Sequence, residues 1–260
     1  MSTTYLDKIL SAHRTAAAED QRRLEPLLDQ ARSLGPTRGF RRAIAEVHGL
    51  GVIAEIKRRS PSKGDLNPGL DAAAWAAAYE GGGATCLSVL TDAAHFGGSA
   101  DDLCSARAAV SVPVIRKDFT VSALDVVDAR LMGADAVLLI VAALDDAELA
   151  DFHQLASELG LDALVETHDE PEVERALAIG ASLIGVNQRD LVTFEVDTER
   201  AIRVGRSLPA HVVRVAESGV GGPADAHRLA AAGYHAVLVG EALVRSGDPG
   251  AAVAALRAVG

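Results

Sequence analysis

The sequence predicts an α/β protein: a closed (β/α)8 barrel of the TIM type with an N-terminal helical extension. Three observations lead there. Apolar runs recur at a near-constant interval behind Gly83-Ala84, Gly133-Ala134, Gly180-Ala181 and Gly233-Tyr234, whose glycines lie 50, 47 and 53 residues apart. Further runs (V-P-V-I-R-K, D-A-L-V-E-T and V-V-R-V-A-E-S) fall between them and, with Val52–Lys57, bring the strands to eight, separated by helical segments. The turn after the first strand, R-R-S-P-S-K-G-D, lacks the G-x-G-x-x-G that an open doubly wound sheet would place there. Eight alternations in about 210 residues suit a closed barrel better than an open sheet.

Each element has a local cause. Residues 1–48 carry two short apolar faces, Tyr5, Leu6, Ile9 and Leu10, then Leu24, Leu27, Leu28 and Ala31. They are too short for a domain, so an extension packed on a single barrel domain (1–260) is expected. In Val52–Lys57 the side chains alternate, so Val52, Ala54 and Ile56 face the helices while Ile53, Glu55 and Lys57 face the lumen. The glycines that precede the runs close helices in left-handed conformation. Asp145 and Glu148 form a capping box ahead of Leu149, Phe152 and Leu159, and Pro171 suits a first helical turn ahead of Val173, Ala176 and Leu177.

Composition narrows the function. At 49% hydrophobic residues the chain can bury a large core, and no apolar stretch reaches the 18 or so residues of a membrane span. The N-terminus shows no basic segment leading into an apolar one, which argues against a secretory signal. Cys86 and Cys104 are isolated, which points to reduced thiols and a cytoplasmic home. A net charge of −11 excludes non-specific nucleic-acid binding and requires local cations to capture an anionic substrate.

The same parity places charges at other strand ends. Lys117 follows Pro113 and Ile115; Glu166 ends its strand; Asn187 follows Leu183 and Gly185, with Arg189 two residues on; Glu217 follows Val213 and Val215. A carboxylate or an ammonium at one such end is commonly a solvated charge. Six polar residues converging on one mouth suit acid/base chemistry, because neighbours shift each other's pKa. After the last two strands, E-S-G-V-G-G and V-G-E-A-L offer backbone N–H groups where barrels hold phosphate.

These motifs resemble the indole-3-glycerol phosphate synthase family. The resemblance spans nearly the whole chain and rests on I-A-E-I-K-R-R-S-P-S-K-G, S-V-L-T-D, F-G-G-S, V-P-V-I-R-K-D-F, L-L-I-V-A-A-L, L-V-E-T-H, G-V-N-Q-R-D-L, A-E-S-G-V and V-L-V-G-E-A-L. It implies decarboxylating, dehydrating ring closure of 1-(2-carboxyphenylamino)-1-deoxyribulose 5-phosphate, with no cofactor and no metal. It also implies roles: Lys117 as general acid of ring closure, Glu166 as acid/base of dehydration, Glu55 as the carboxylate tuning the lysines. Lys57 would contact substrate carboxylate and phosphate, while Asn187, Glu217, Ser218 and Arg189 position substrate. Ser60, Gly219, Gly240 and Glu241 would hold phosphate, and Phe96 and Phe119 would wall the aromatic ring. Such an enzyme needs a small anionic phosphate substrate and no membrane or nucleic-acid partner, and is expected as a monomer or weak homodimer.

Further expectations follow. Glu166 should have a raised pKa in a partly desolvated mouth. The breaker-rich loop Arg58–Leu70 should be mobile when empty and close over substrate, with Lys63 facing the site. Tyr5 is the one aromatic near the start of the chain, which argues against an aromatic lid there. His95, His153, His168, His211, His227 and His235 are scattered and read as surface or packing residues. The competing functions are a sister phosphate-binding isomerase, which would want a cysteine base near Glu55, and a non-catalytic ligand-binding barrel, which Lys117 and Glu166 argue against.

Overall fold

Helices hand the chain to strands through left-handed glycines: Gly83, Gly133, Gly180 and Gly233 have φ of 89°, 87°, 79° and 86°, a conformation costly for residues with a Cβ. The structure, a computed structural model, describes residues 4–61, 63–190 and 195–258. Ser62 of the first loop and Leu191 of the asparagine motif therefore lie outside the described residues. The barrel strands are β1 (Gly51–Ile56), β2 (Cys86–Leu90), β3 (Val114–Lys117), β4 (Ala136–Ile140), β5 (Asp162–Thr167), β6 (Leu183–Asn187), β7 (Val213–Glu217) and β8 (Ala236–Val239). They run parallel in chain order, and β8 pairs with β1 to close the barrel. No helix among the described residues is long and apolar enough to cross a membrane.

Strand parity separates two apolar layers. Val52, Ala54 and Ile56 pack outward in the core shared with the helices. Ile53 packs inward with Ile115, Leu138, Leu164, Leu183, Val215 and Leu238. Period-two alternation thus sends the polar residues at the strand ends into the lumen mouth.

The N-terminal residues form three helices: α1 (Tyr5–Glu19), α2 (Leu24–Ser33) and α3 (Phe40–Glu46). Phe40 and Ile44 of α3 are buried in the lumen layer. The backbone N–H groups of Arg38 and Arg41 donate to Asp135 and Asp162 beside the strand starts, both at 2.8 Å. α3 is therefore a plug in the barrel's N-terminal end, a role its short apolar pattern does not announce. α1 reaches the opposite end, where Arg14 pairs with Glu148 at 2.7 Å.

Around the barrel run α4 (Ala72–Gly81), α5 (Ala93–Phe96), α6 (Ala100–Ala109), α7 (Ala123–Leu131), α8 (Asp146–Glu158), α9 (Glu170–Ala178), α10 (Arg200–Gly205), α11 (Pro223–Ala231), α12 (Glu241–Val244) and α13 (Pro249–Arg257). The capping box of Asp145 and Glu148 opens α8, and Pro171 lies in the first turn of α9.

Candidate active site

The C-terminal ends of the strands surround a cavity of about 430 Å³, within the size range of small-molecule sites. It is lined by Glu55, Lys57, Ser60, Phe96, Lys117, Phe119, Glu166, Asn187, Arg189, Ser218, Gly219, Gly240 and Glu241. Of the residues given catalytic or binding roles from sequence, Glu217 does not line it. Glu217 is fully buried beside Lys117 and lies behind that lysine, outside the cavity lining. Lys63, expected to face the site, is exposed and outside the lining, because the two-residue hairpin of Arg59–Ser60 with Gly64–Asp65 turns that segment outward.

Two lysines organise the charges. Lys57 Nζ donates to Glu55 Oε1 at 2.5 Å. Lys117 Nζ lies 3.3 Å from Glu166 Oε2 and 3.4 Å from Glu217 Oε2. The other Glu166 oxygen, Oε1, accepts from Asn187 Nδ2 at 2.9 Å, while Asn187 Oδ1 accepts the Arg189 backbone N–H at 3.0 Å. That pair of bonds fixes which way the Asn187 amide points.

The two glutamates beside Lys117 titrate in opposite directions. Burial would raise Glu166, but the charges of Lys117 and His168 and the bonds from Asn187 and Lys117 hold its pKa below the usual carboxylate value. The expectation of a raised Glu166 is thus overturned, because cations and donors around it outweigh desolvation. Glu217 is pushed up to about 8 by burial and by the Glu166 charge, only partly offset by Lys117. Neither Glu217 oxygen has a hydrogen-bond partner among the described residues. Lys117 is itself desolvated, yet Glu166, Glu217 and Glu55 together raise its pKa and keep it an ammonium.

Two glycines make room for this network. A Cβ on Gly185 would lie 2.0 Å from Glu217 Oε1, and one on Gly240 would lie 2.4 Å from Glu55 Oε1 and 3.0 Å from Lys57 Nζ. Neither is needed for a turn; each leaves space for a charged group from a neighbouring strand. Past the end of β7, Ser218 and Gly219 have φ of 64° and 71°, and Ser218 is the one non-glycine with positive φ among the described residues. This loop and residues 240–242 at the start of α12 face the cavity together, with Arg245 on the same side.

The apolar end is built from Phe96 and Phe119, whose rings are 6.3 Å apart. Tyr5, Leu6 and Ile9 of α1 complete it. The sequence argued against an aromatic lid from the N-terminus, yet Tyr5 stacks edge-on to His95 at 5.9 Å and lines the cavity. α1 is tied down by His13, whose Nε2 bonds Asp92 Oδ2 at 2.9 Å and lies 3.9 Å from Asp118. His95 Nδ1 bonds the same Asp92 oxygen at 2.9 Å. These ligand-type atoms of His13, Asp92 and Asp118 lie within 4.8 Å of one another, but Asp118 already pairs with Arg116 at 3.0 Å and accepts from Thr91.

Two of the histidines read as surface or packing residues, His95 and His168, contact residues that line the cavity. His168 Nε2 is 3.6 Å from Glu166 Oε1. Sequence parity missed it because it lies beyond the strand; its only local signal is the T-H-D-E-P-E run that opens α9.

Comparison with known proteins agrees with this geometry. The family profile of indole-3-glycerol phosphate synthase matches residues 6–256. The indole-3-glycerol phosphate synthase of Mycolicibacterium smegmatis is 50% identical over 261 residues, covering 100% of this chain and 96% of that protein. That of a Nocardioides species is 57% identical over 205 residues, 79% of each chain. Among solved structures, thiamine phosphate pyrophosphorylase from Pyrococcus furiosus matches with TM-score 0.62 at 18% identity, over 81% of this chain and 95% of that one. At that identity the likeness is one of fold.

Proposed function

The chain belongs to the indole-3-glycerol phosphate synthase family, and from that premise we propose how its residues share the work of ring closure, decarboxylation and dehydration. It is a carboxy-lyase that converts 1-(2-carboxyphenylamino)-1-deoxyribulose 5-phosphate to indole-3-glycerol phosphate, carbon dioxide and water. The substrate's phosphate lies against Gly219, Gly240 and Glu241 through their backbone N–H groups, with Ser60 beside it. Its aromatic ring lies between Phe96 and Phe119. Lys57, held by Glu55, meets the carboxylate, while Asn187, Arg189 and Ser218 position the chain between the two ends.

The observation that carries the division of labour is one ammonium between two glutamates of opposite tendency. The ring carbon that bears the carboxylate attacks the ketone carbon, and Lys117 gives a proton to the ketone oxygen. Carbon dioxide leaves and its bonding pair restores the aromatic ring. Glu217, a carboxylic acid near neutral pH, returns a proton to the Lys117 amine. Lys117 then protonates the departing hydroxyl, and the Glu166 carboxylate removes a proton from the adjacent methylene to complete the indole. Glu166 passes that proton to Lys117, and one proton from solvent resets Glu217, matching the one proton that decarboxylation consumes.

Rapid-quench analysis tests the order. Lys117→Ala should stop before carbon–carbon bond formation with substrate bound, and Glu166→Gln should accumulate a closed, non-aromatic five-membered ring. Each should cost about 10² to 10⁴ in rate. A closed intermediate in the Lys117 variant and none in the Glu166 variant would reverse the assignment. The free state of Cys86 and Cys104 supports a cytoplasmic enzyme, which we read as a monomer or weak homodimer with extension and barrel acting as one domain. Neither a nucleic acid nor a membrane is part of this reading.

A further inference from the structure

We propose that His168 is a positioning residue for the dehydration step, held by Glu172 so that its Nε2 edge faces Glu166 and supports that residue's carboxylate. The proposal rests on the reading of Glu166 as the dehydration base and adds what keeps it one. It begins in the backbone: Asp169 caps α9 by accepting the Glu172 N–H at 2.9 Å. Glu172, in the first turn, reaches back to accept the His168 backbone N–H at 2.7 Å and contacts His168 Nδ1 at 3.0 Å through the same oxygen. A carboxylate cannot donate, so Nδ1 carries the proton. The ring is thereby fixed with Nε2 toward Glu166 Oε1 at 3.6 Å. Nε2 is buried and has no hydrogen-bond partner among the described residues.

Glu166 is then gripped at both oxygens: Oε2 by Lys117, Oε1 by Asn187 and the His168 edge. His168 lies outside the cavity lining, so it acts through Glu166. The titratable groups that face it are Glu172 from α9, Glu166 from β5 and Glu217 from β7, all carboxyl groups. Against burial, which favours the neutral ring, the bond to Glu172 and the charges of Glu166 and Glu172 raise its pKa. The imidazolium in turn helps hold Glu166 ionised. When Glu166 has taken the methylene proton, the same contact favours its release to Lys117, and the His168 proton stays where it is.

The experiment combines imidazole NMR titration of the full chain with pH–rate profiles. In Glu172→Gln and in Glu166→Gln, His168 should lose its proton about one pH unit lower than in the parent. In His168→Asn the acid limb of kcat should move up by about one pH unit, so that the loss of kcat grows as pH falls, while KM changes by less than about twofold. A His168 titration indifferent to Glu166→Gln would overturn the proposal, as would a kcat loss in His168→Asn that is the same at every pH. If His168→Asn does not fold, the two glutamine variants decide, since neither alters the ring. If Glu166→Gln kept full turnover, the base assignment would fall while the titration coupling still reported on His168, so the two failures are distinguishable.

Discussion

Gly185→Ala probes how tightly Glu217, the glutamate proposed to carry a proton to Lys117, is held. Gly185 lies in β6 on the lumen face, and a methyl there would meet Glu217 Oε1 at 2.0 Å, Glu217 Cδ at 3.1 Å and Leu164 Cδ1 at 3.3 Å. An ordinary contact is about 3.4 Å or more, so the carboxyl must retreat by about 1.4 Å, against a present Lys117 separation of 3.4 Å. Overpacking of this size costs about 1–3 kcal/mol of stability, which leaves a folded protein to assay. A displacement of about 1 Å in a reacting constellation costs on the order of 10² in rate, and because Glu217 does not line the cavity, the loss should appear in kcat with KM little changed. Steady-state kinetics of indole-3-glycerol phosphate formation, with the melting temperature measured alongside, reads both terms. Adding Glu217→Asp, whose shorter side chain withdraws the carboxyl from the new methyl, should recover part of the rate. A folded Gly185→Ala enzyme with parental kcat would refute the claim that the position of Glu217 matters to catalysis.

His13→Leu should remove a pH-dependent part of stability. The hydrogen bond to Asp92 raises the His13 pKa above its ordinary 6.5, against the effect of burial. The stabilisation is therefore full below pH 6.5 and is lost as pH rises through the folded-state value; about 1 kcal/mol is at stake, or about 2–4 °C. A parent and variant whose melting temperatures run parallel from pH 6 to 9 would count against it. Gly219→Val should weaken binding of substrate and phosphorylated product alike, by about tenfold or more, because a side chain at φ 71° is strained and would meet Val196 Cγ1 at 2.5 Å; calorimetry showing parental affinity would remove the phosphate assignment. Arg58 pins the loop 58–70 at both ends, to Asp102 at 2.5 and 2.7 Å and to the Leu70 carbonyl at 2.7 Å. Closure should then appear as protection of the intervening segment from proteolysis by a product analogue, and equal cleavage with and without it would argue for a static loop.

The barrel and the polar side chains at its strand ends are legible along the chain. Both are local properties: a left-handed glycine before each of four strands, and a period of two that needs no partner strand to decide that Glu55, Lys57, Lys117, Glu166, Asn187 and Glu217 share the inner face. What those groups do to one another emerges from the fold. Glu166 and Glu217 look equivalent along the chain. They differ because Asn187, Lys117 and His168 converge on the first, while the second is buried with neither oxygen hydrogen-bonded among the described residues and only Lys117 beside it. A pKa depends on distances across strands and on burial, which neighbours in sequence do not specify. The same reason hid α3 as the plug of the barrel floor and α1 as a wall of the cavity. An amphipathic helix shows that it has a buried face; what that face is buried against is a property of the folded molecule.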